Sequence, residues 1–326
     1  MPLSLRRGKV SAVLERVAGL VRLEVDGVAC IAYPALTGEV EEGDEVLVNV
    51  QARELTLGSG GFDILYANLT RGLGLPAAEG AHVMKLPYTP LQHAVRHGEE
   101  QGPLAETLEG MPVVCCSLHS QLAPAAAALA GRRVVYVQLA GGALPVALSD
   151  TVRLLRARGL LELAIGAGAC FGGDVDCVTV QSALAYARAA GAEAVVCSIG
   201  PGIAGTGTLL GHGGLAAVEA ADAAASLGGR PVVALRVSEG DARERHHGVS
   251  HHSLAVLSLV GPADAAWPAG CPLGPAPERA TEVDAAGWLE ACSDLELAHM
   301  GRGPDEDPWF FAAAFAAGRL AGSLLS

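Results

Sequence analysis

Four histidines fall within seven residues in the run ERHHGVSHHSL, at positions 246, 247, 251 and 252, just after Arg243 and Arg245. Histidine titrates near neutral pH and is the commonest metal ligand, so this run suits proton transfer, anion binding shared with the arginines, or metal binding. His247 and His251 are spaced like neighbours on adjacent helical turns, although Gly248 and the cap-forming Ser250 argue against one continuous helix. A transition metal would also draw on a carboxylate, which Asp174, Asp176 or Asp241 could supply. The candidate ligands of a divalent metal are therefore His247, His251 and Asp174. A purely structural or exposed cluster is the plainer alternative.

The second chemically suggestive stretch is SIGPGIAGTGTLLGHGG, Ser198 to Gly214, with seven glycines in seventeen residues. It follows an apolar, strand-like run and precedes an alanine-rich helical one, the place where α/β proteins bind anionic groups. Gly200, Gly202 and Gly205 fit GxGxxG, but Pro201 and the further glycines start the helix about ten residues too late for a dinucleotide turn. Phosphate or another oxyanion fits better than a dinucleotide. The candidate ligand-binding residues are Ser117, Gly202, Gly205, Thr206, Gly207, Thr208, Arg243 and Arg245. His119, Asp174, His212 and His251 are the candidates for proton transfer. Ser117 and Ser120 flank His119, yet the glycines of a hydrolase nucleophile elbow are missing, so a serine triad is not supported and Ser120 reads as a helix cap.

These residues need a scaffold that gathers them. From Met111 onward, apolar runs (VVCCS, VVYVQLAG, LELAIGAG, AVVCSIG, VVALRVS) alternate with helical ones, which predicts a mostly parallel, doubly wound, Rossmann-like sheet covered on both sides. Right-handed crossovers place every strand-to-helix loop on one edge, and ligands bind at the carboxyl ends of such strands. Each candidate follows one of these runs. Residues 1–57 instead alternate in short segments with turns at Asp26-Gly27 and Gly43-Asp44, the pattern of a small β-barrel. Residues 58–110 read as a bridge, and 111–326 as the α/β domain with C-terminal helices. Asp305, Glu306 and Asp307 should cap a final apolar helix from about Pro308 to Leu325, destined for the core or a dimer interface.

Composition narrows the functions further. A net charge of −13, with Lys9 and Lys85 the only lysines, argues against a nucleic-acid surface. The apolar last helix is short and carries Arg319, which argues against a membrane anchor. Eight cysteines without a CxxC pair read as reduced thiols in the cytoplasm.

The runs YPALTG with GDEVLVN, KLPYTPLQ, LEGMPVVCCSLHSQLAP, ACFGGD, GPGIAGTGTLLG, RERHHGVSHHSL and MGRGPDEDPWFFAAAFAAG together resemble the bacterial family catalogued as domain of unknown function 3866. The resemblance spans nearly the whole chain. It implies a cytoplasmic bacterial protein and brings no activity, cofactor or catalytic residue. The reading is thus an enzyme acting on a small anionic, phosphorylated or similar substrate at the carboxyl edge of the sheet. The alternative is a non-catalytic metabolite-binding sensor or scaffold. A homodimer is expected, with a site between two subunits as a third arrangement.

Overall fold

The computed structural model describes residues 3–56, 61–71, 74–75 and 79–325, and the chain divides into two compact units, residues 1–96 and 97–326. In the first unit, β1 (Leu5–Val17), β2 (Leu20–Val25), β3 (Val28–Ala32), β4 (Glu45–Asn49) and β5 (Asp63–Asn68) form a closed barrel in the order β1-β2-β3-β5-β4. The long β1 serves two neighbours, pairing through Leu5–Lys9 with β4 and, past register shifts at Val10/Ala12 and Val13/Glu15, with β2. Such irregularities bend a strand and let a small barrel close. Inward-facing Val10, Leu23, Val25, Val46, Val48 and Leu65 fill it. Two short helices, α1 (Pro34–Thr37) and α2 (Gln51–Glu54), join strands, and β6 (Val83–Lys85) pairs with β7 (His93–Val95). The closing strand β5 lies in the segment expected to be a bridge, and the expected boundary at 57/58 lies outside the described residues.

The second unit carries β8 (Pro112–Cys116), α3 (Leu122–Ala127), β9 (Val134–Leu139), α4 (Asp150–Ala157), β10 (Leu163–Ala167), β11 (Val175–Cys177), α5 (Val180–Ala189), β12 (Ala194–Ile199), α6 (Ala216–Ser226) and β13 (Arg230–Ala234). There follow the two-residue strands β14 (Val237–Ser238) and β15 (Gly248–Val249), then α7 (His251–Leu259), β16 (Asp264–Pro268), β17 (Ala280–Val283), α8 (Trp288–Ala291) and α9 (Pro308–Ser323). Eight strands form one parallel sheet in the order β11-β10-β9-β12-β8-β13-β16-β17.

The continuous apolar runs arise because each central strand is buried on both faces. On β8, Val113 and Cys115 enter one core with side chains of α5, α6 and α7, while Val114 and Cys116 enter the other with α3, α4 and α9. Connections after β8 and β9 therefore lead to one face, and those after β12 and β13 to the other. These four strands interleave as β9-β12-β8-β13 at the centre of the sheet. Loops part where such connections diverge, and there α/β sheets take their ligands.

Three of the eight strands are not legible as apolar runs: the edge strands β11 and β17 are only VDC and ATEV, and β16, beside β17, is the short DAAWP. Helix α9 lies in the core of its own unit. Its Gly318 lets it approach α3 so closely that a Cβ there would stand 2.3 Å from the Ala125 carbonyl oxygen. All eight cysteines are buried, and among the described residues no helix is long and apolar enough to cross a membrane.

Candidate functional site

The loop after β12 and the segment after β13 meet through their histidines. Residues 204–213 form a narrow hairpin, tied by Gly213 N to Ala204 O at 2.7 Å and Thr206 N to Gly211 O at 2.7 Å, with an exposed tip. His212 at its base is buried and its ring stacks on His252 with centroids 3.7 Å apart. Past β13, the chain makes a second ribbon, β14 against β15, where Gly248 takes the left-handed φ of +68°. That reversal turns His246 inward and leaves His247 exposed. Ser250 then caps α7 by accepting from His252 N, so that His251 and His252 occupy its first turn. The His246 ring lies 4.8 Å from that of His251 and 4.9 Å from that of His252, and the last two are 4.4 Å apart.

A buried ion network backs this cluster. Arg236 Nη2 donates to Asp241 Oδ2 at 2.8 Å, and Arg243 grips the same carboxylate through Nε at 2.9 Å and Nη2 at 2.8 Å. Arg302 donates to Asp307 Oδ2 at 3.2 Å and approaches Asp241 at 3.5 Å. The hydrogen bonds from Arg243 hold the Asp241 carboxyl well below the usual range. Burial, aided by Arg236, pushes His246 down to about 3, and burial with the neighbouring His212 pushes His252 down to about 2. Burial also lowers His212 and His251. The four imidazoles are accordingly neutral at neutral pH.

Their hydrogen bonding is incomplete. His246 Nδ1 sits 2.7 Å from Ser250 Oγ, but both ring nitrogens of His212, near the Leu209 backbone, Nε2 of His251 and Nδ1 of His252 are buried and make no well-aligned hydrogen bond among the described residues. An orphaned buried polar atom costs roughly 1–3 kcal/mol, which makes several in one place unusual.

The other candidates are placed differently. His119, after β8, has Nε2 2.7 Å from Ser149 Oγ and Nδ1 3.2 Å from the Ile199 carbonyl oxygen, beside Tyr136 and Ser198, which are themselves 3.1 Å apart. Burial pushes it down to about 4. Ser117 is buried, with Oγ 3.4 Å from Gln121 Oε1. Asp174 accepts from Ala164 N near the start of β10 and pairs with Arg156 of α4, so it is engaged away from the strand's carboxyl end. Asp176 accepts from the amides of Gly172 and Gly173.

Within the glycine-rich loop, Thr206 and Thr208 are exposed and their hydroxyls bond each other at 2.8 Å, with Thr206 also donating to Gly211 O. Gly202 takes a φ of +74°, Gly205 faces the His212 Cβ, and Gly207 stands in open space. The glycines that close packing demands are others: a Cβ at Gly213 would stand 1.9 Å from Gly141 O, and one at Gly200 2.1 Å from Ala143 O. There the loops after β9 and β12 press backbone on backbone. Arg243 is spent on Asp241, whereas Arg245 is exposed and its charge reaches His251.

Sequence reasoning passed over Arg236, His299 and the role of Asp307. His299 stacks flat on Phe310 at 3.8 Å and lies 3.1 Å from Ser120 Oγ. Asp307, expected to cap α9, makes no side-chain cap bond and instead accepts from Ser238 Oγ at 2.6 Å and from Glu239 N at 3.0 Å. Its partners are some seventy residues away in sequence, where no local signal reaches. His246 could have been preferred to His247 only by recognising the β14–β15 reversal, and Gly248 was its sole trace.

Residues 29–270 match the model of a family described as "Protein of unknown function (DUF3866)". No curated protein matches the chain.

Proposed function

For this chain, which belongs to the DUF3866 family, we propose an enzyme that acts on a small anionic substrate at the carboxyl edge of the eight-stranded sheet. One observation carries the reading: His212 from one loop and His246, His251 and His252 from another converge with unpartnered ring nitrogens, beside the exposed Arg245. The location favours it as well, since β12 and β13 flank β8 at the interleaved centre of the sheet.

The division of labour follows from the charges. Arg243 is occupied by Asp241, so Arg245 is the cation that can pair with an incoming carboxylate or phosphate. The threonine hydroxyls at the loop tip satisfy each other and contribute less to this reading than the arginine does. Imidazoles with so little proton affinity are weak general bases at neutral pH, because efficient bases have pKa values near the working pH. Their lone pairs are better matched to an electrophile than to a proton.

The test is product release from a panel of small phosphate monoesters and carboxylate esters, followed by NMR with the full chain and with Arg245→Gln. Turnover of at least one member is expected, with KM raised about tenfold or more in R245Q and kcat little changed, the cost of one charge-assisted contact made in ground and transition states alike. No product from any member, or identical KM in R245Q, overturns the proposal.

A further inference from the structure

We propose that His246, His251 and His252 hold one divalent transition-metal ion of the zinc class. One ligand atom from each lies within 4.8 Å of the other two, which places all three around a common point. Donors to a tetrahedral zinc ion, at 2.0–2.1 Å from it, stand about 3.4 Å apart, so the imidazoles need to close by about an ångström. Side chains in the first turn of a helix can do this by small rotations.

Three features separate this trio from an ordinary cluster of core histidines. The first is the set of unused lone pairs: His252 is 6% exposed and its Nδ1 has no partner, nor has the buried Nε2 of His251. A metal bond removes the penalty of leaving them bare. The second is the position of Ser250 beside Nδ1 of His246. With that nitrogen donating its hydrogen to Ser250 Oγ, Nε2 presents its lone pair, the arrangement by which outer-shell groups fix metal-bound histidines. The third is the supply of countercharge. Asp241 and Asp307 offset two of the four arginines nearby, Arg236, Arg243, Arg245 and Arg302, and Arg245 is exposed to solvent, so the cation enters a field weaker than the count of arginines suggests.

All-nitrogen donor sets suit zinc and its neighbours and disfavour magnesium or calcium, which demand oxygen. Three protein ligands leave a fourth position, which water or His212, stacked on His252, can take. The donors differ from the set His247, His251 and Asp174 expected from the sequence: His247 is exposed and Asp174 is paired with Arg156. The inference concerns binding only and stands whether or not the substrate reading holds.

The experiment titrates chelator-treated full chain with Zn²⁺ and, for its visible absorption, Co²⁺. Uptake of one ion per chain, a four-coordinate Co²⁺ spectrum and a metal-dependent rise in melting temperature are expected. His251→Gln and His252→Gln should lose about a hundredfold in affinity, while His247→Gln binds as the parent does. Circular dichroism of the metal-free variants shows that they are folded, and H251Q, altered at the less buried position, carries the test if H252Q is not. Absence of uptake, uptake unchanged in H251Q, or equal loss in H247Q overturns the assignment.

Discussion

The same sheet edge holds histidines in two conditions. His119 has both ring nitrogens engaged, one by Ser149 and one by the Ile199 carbonyl, within a set of hydroxyls on neighbouring strands. The cluster of His212, His246, His251 and His252 is also buried or half-buried, yet four of its ring nitrogens make no well-aligned hydrogen bond among the described residues. Burial and a lowered affinity for protons are common to both, so neither distinguishes a functional histidine from a structural one. What distinguishes them is whether the fold has already used the lone pairs. At His119 it has, and the residue reads as a strut between β8, β12 and the start of α4. In the cluster the fold has left them open.

The largest effect expected is at the charges behind the cluster. Asp241 is 5% exposed and accepts from Arg236, which is 2% exposed. Asp241→Asn leaves a buried guanidinium without its counterion, a change that costs about 3–5 kcal/mol in comparable pairs. Chemical denaturation of the full chain measures it. A loss under about 1 kcal/mol would mean that the arginines find water or another acceptor, and the contrast between a charge-paired network and an open cluster would fail.

The second effect concerns the strut. Because burial pushes the folded His119 down to about 4 from its ordinary value of about 6.5, the unfolded chain binds its proton more readily than the folded one. Its contribution is fully present above pH 6.5 and is lost as pH falls through that value toward 4, amounting to at most about 3 kcal/mol. In His119→Gln, stability between pH 7 and pH 4 should decline less steeply by that share. A curve parallel to the parent's shows that His119 takes up its proton in the folded state without penalty, which would make it the open histidine and not the strut.

How much of this was readable in advance depends on the range of the interactions. The runs that became β8, β9, β10, β12 and β13 announce themselves because a parallel strand buried on both faces must be apolar at every position, as Val113 to Cys116 are. The barrel is legible as alternation, although β5 completes it from beyond the expected limit. Helix α9 reads equally well from its alanines and phenylalanines. The site is legible as a place and less so as a set. Histidine spacing favours 247 with 251, whereas a two-residue ribbon turns 246 inward. Asp307 and Ser238 meet across sixty-nine positions, and Arg236 sits in a run that reads simply as the end of a strand. Helix periodicity and strand alternation describe neighbours a few residues apart, and these contacts are made by the return of the chain.

The smallest effect falls on Ser250, which belongs to both halves of the comparison. Its hydroxyl caps α7 through His252 N and also lies beside Nδ1 of His246, so it supports the fold and orients an open histidine at once. Two substitutions separate the roles. Ser250→Ala should cost about 1 kcal/mol of stability through the lost cap, whereas Ser250→Gly, tolerated at cap positions, should cost only a few tenths. Both remove the oxygen that fixes the His246 ring, so both should weaken Zn²⁺ binding by about tenfold. Denaturation and metal titration on the two variants read the two quantities independently. If affinity follows stability, falling in S250A and holding in S250G, then Ser250 acts through the helix alone and the His246 ring is oriented by its packing.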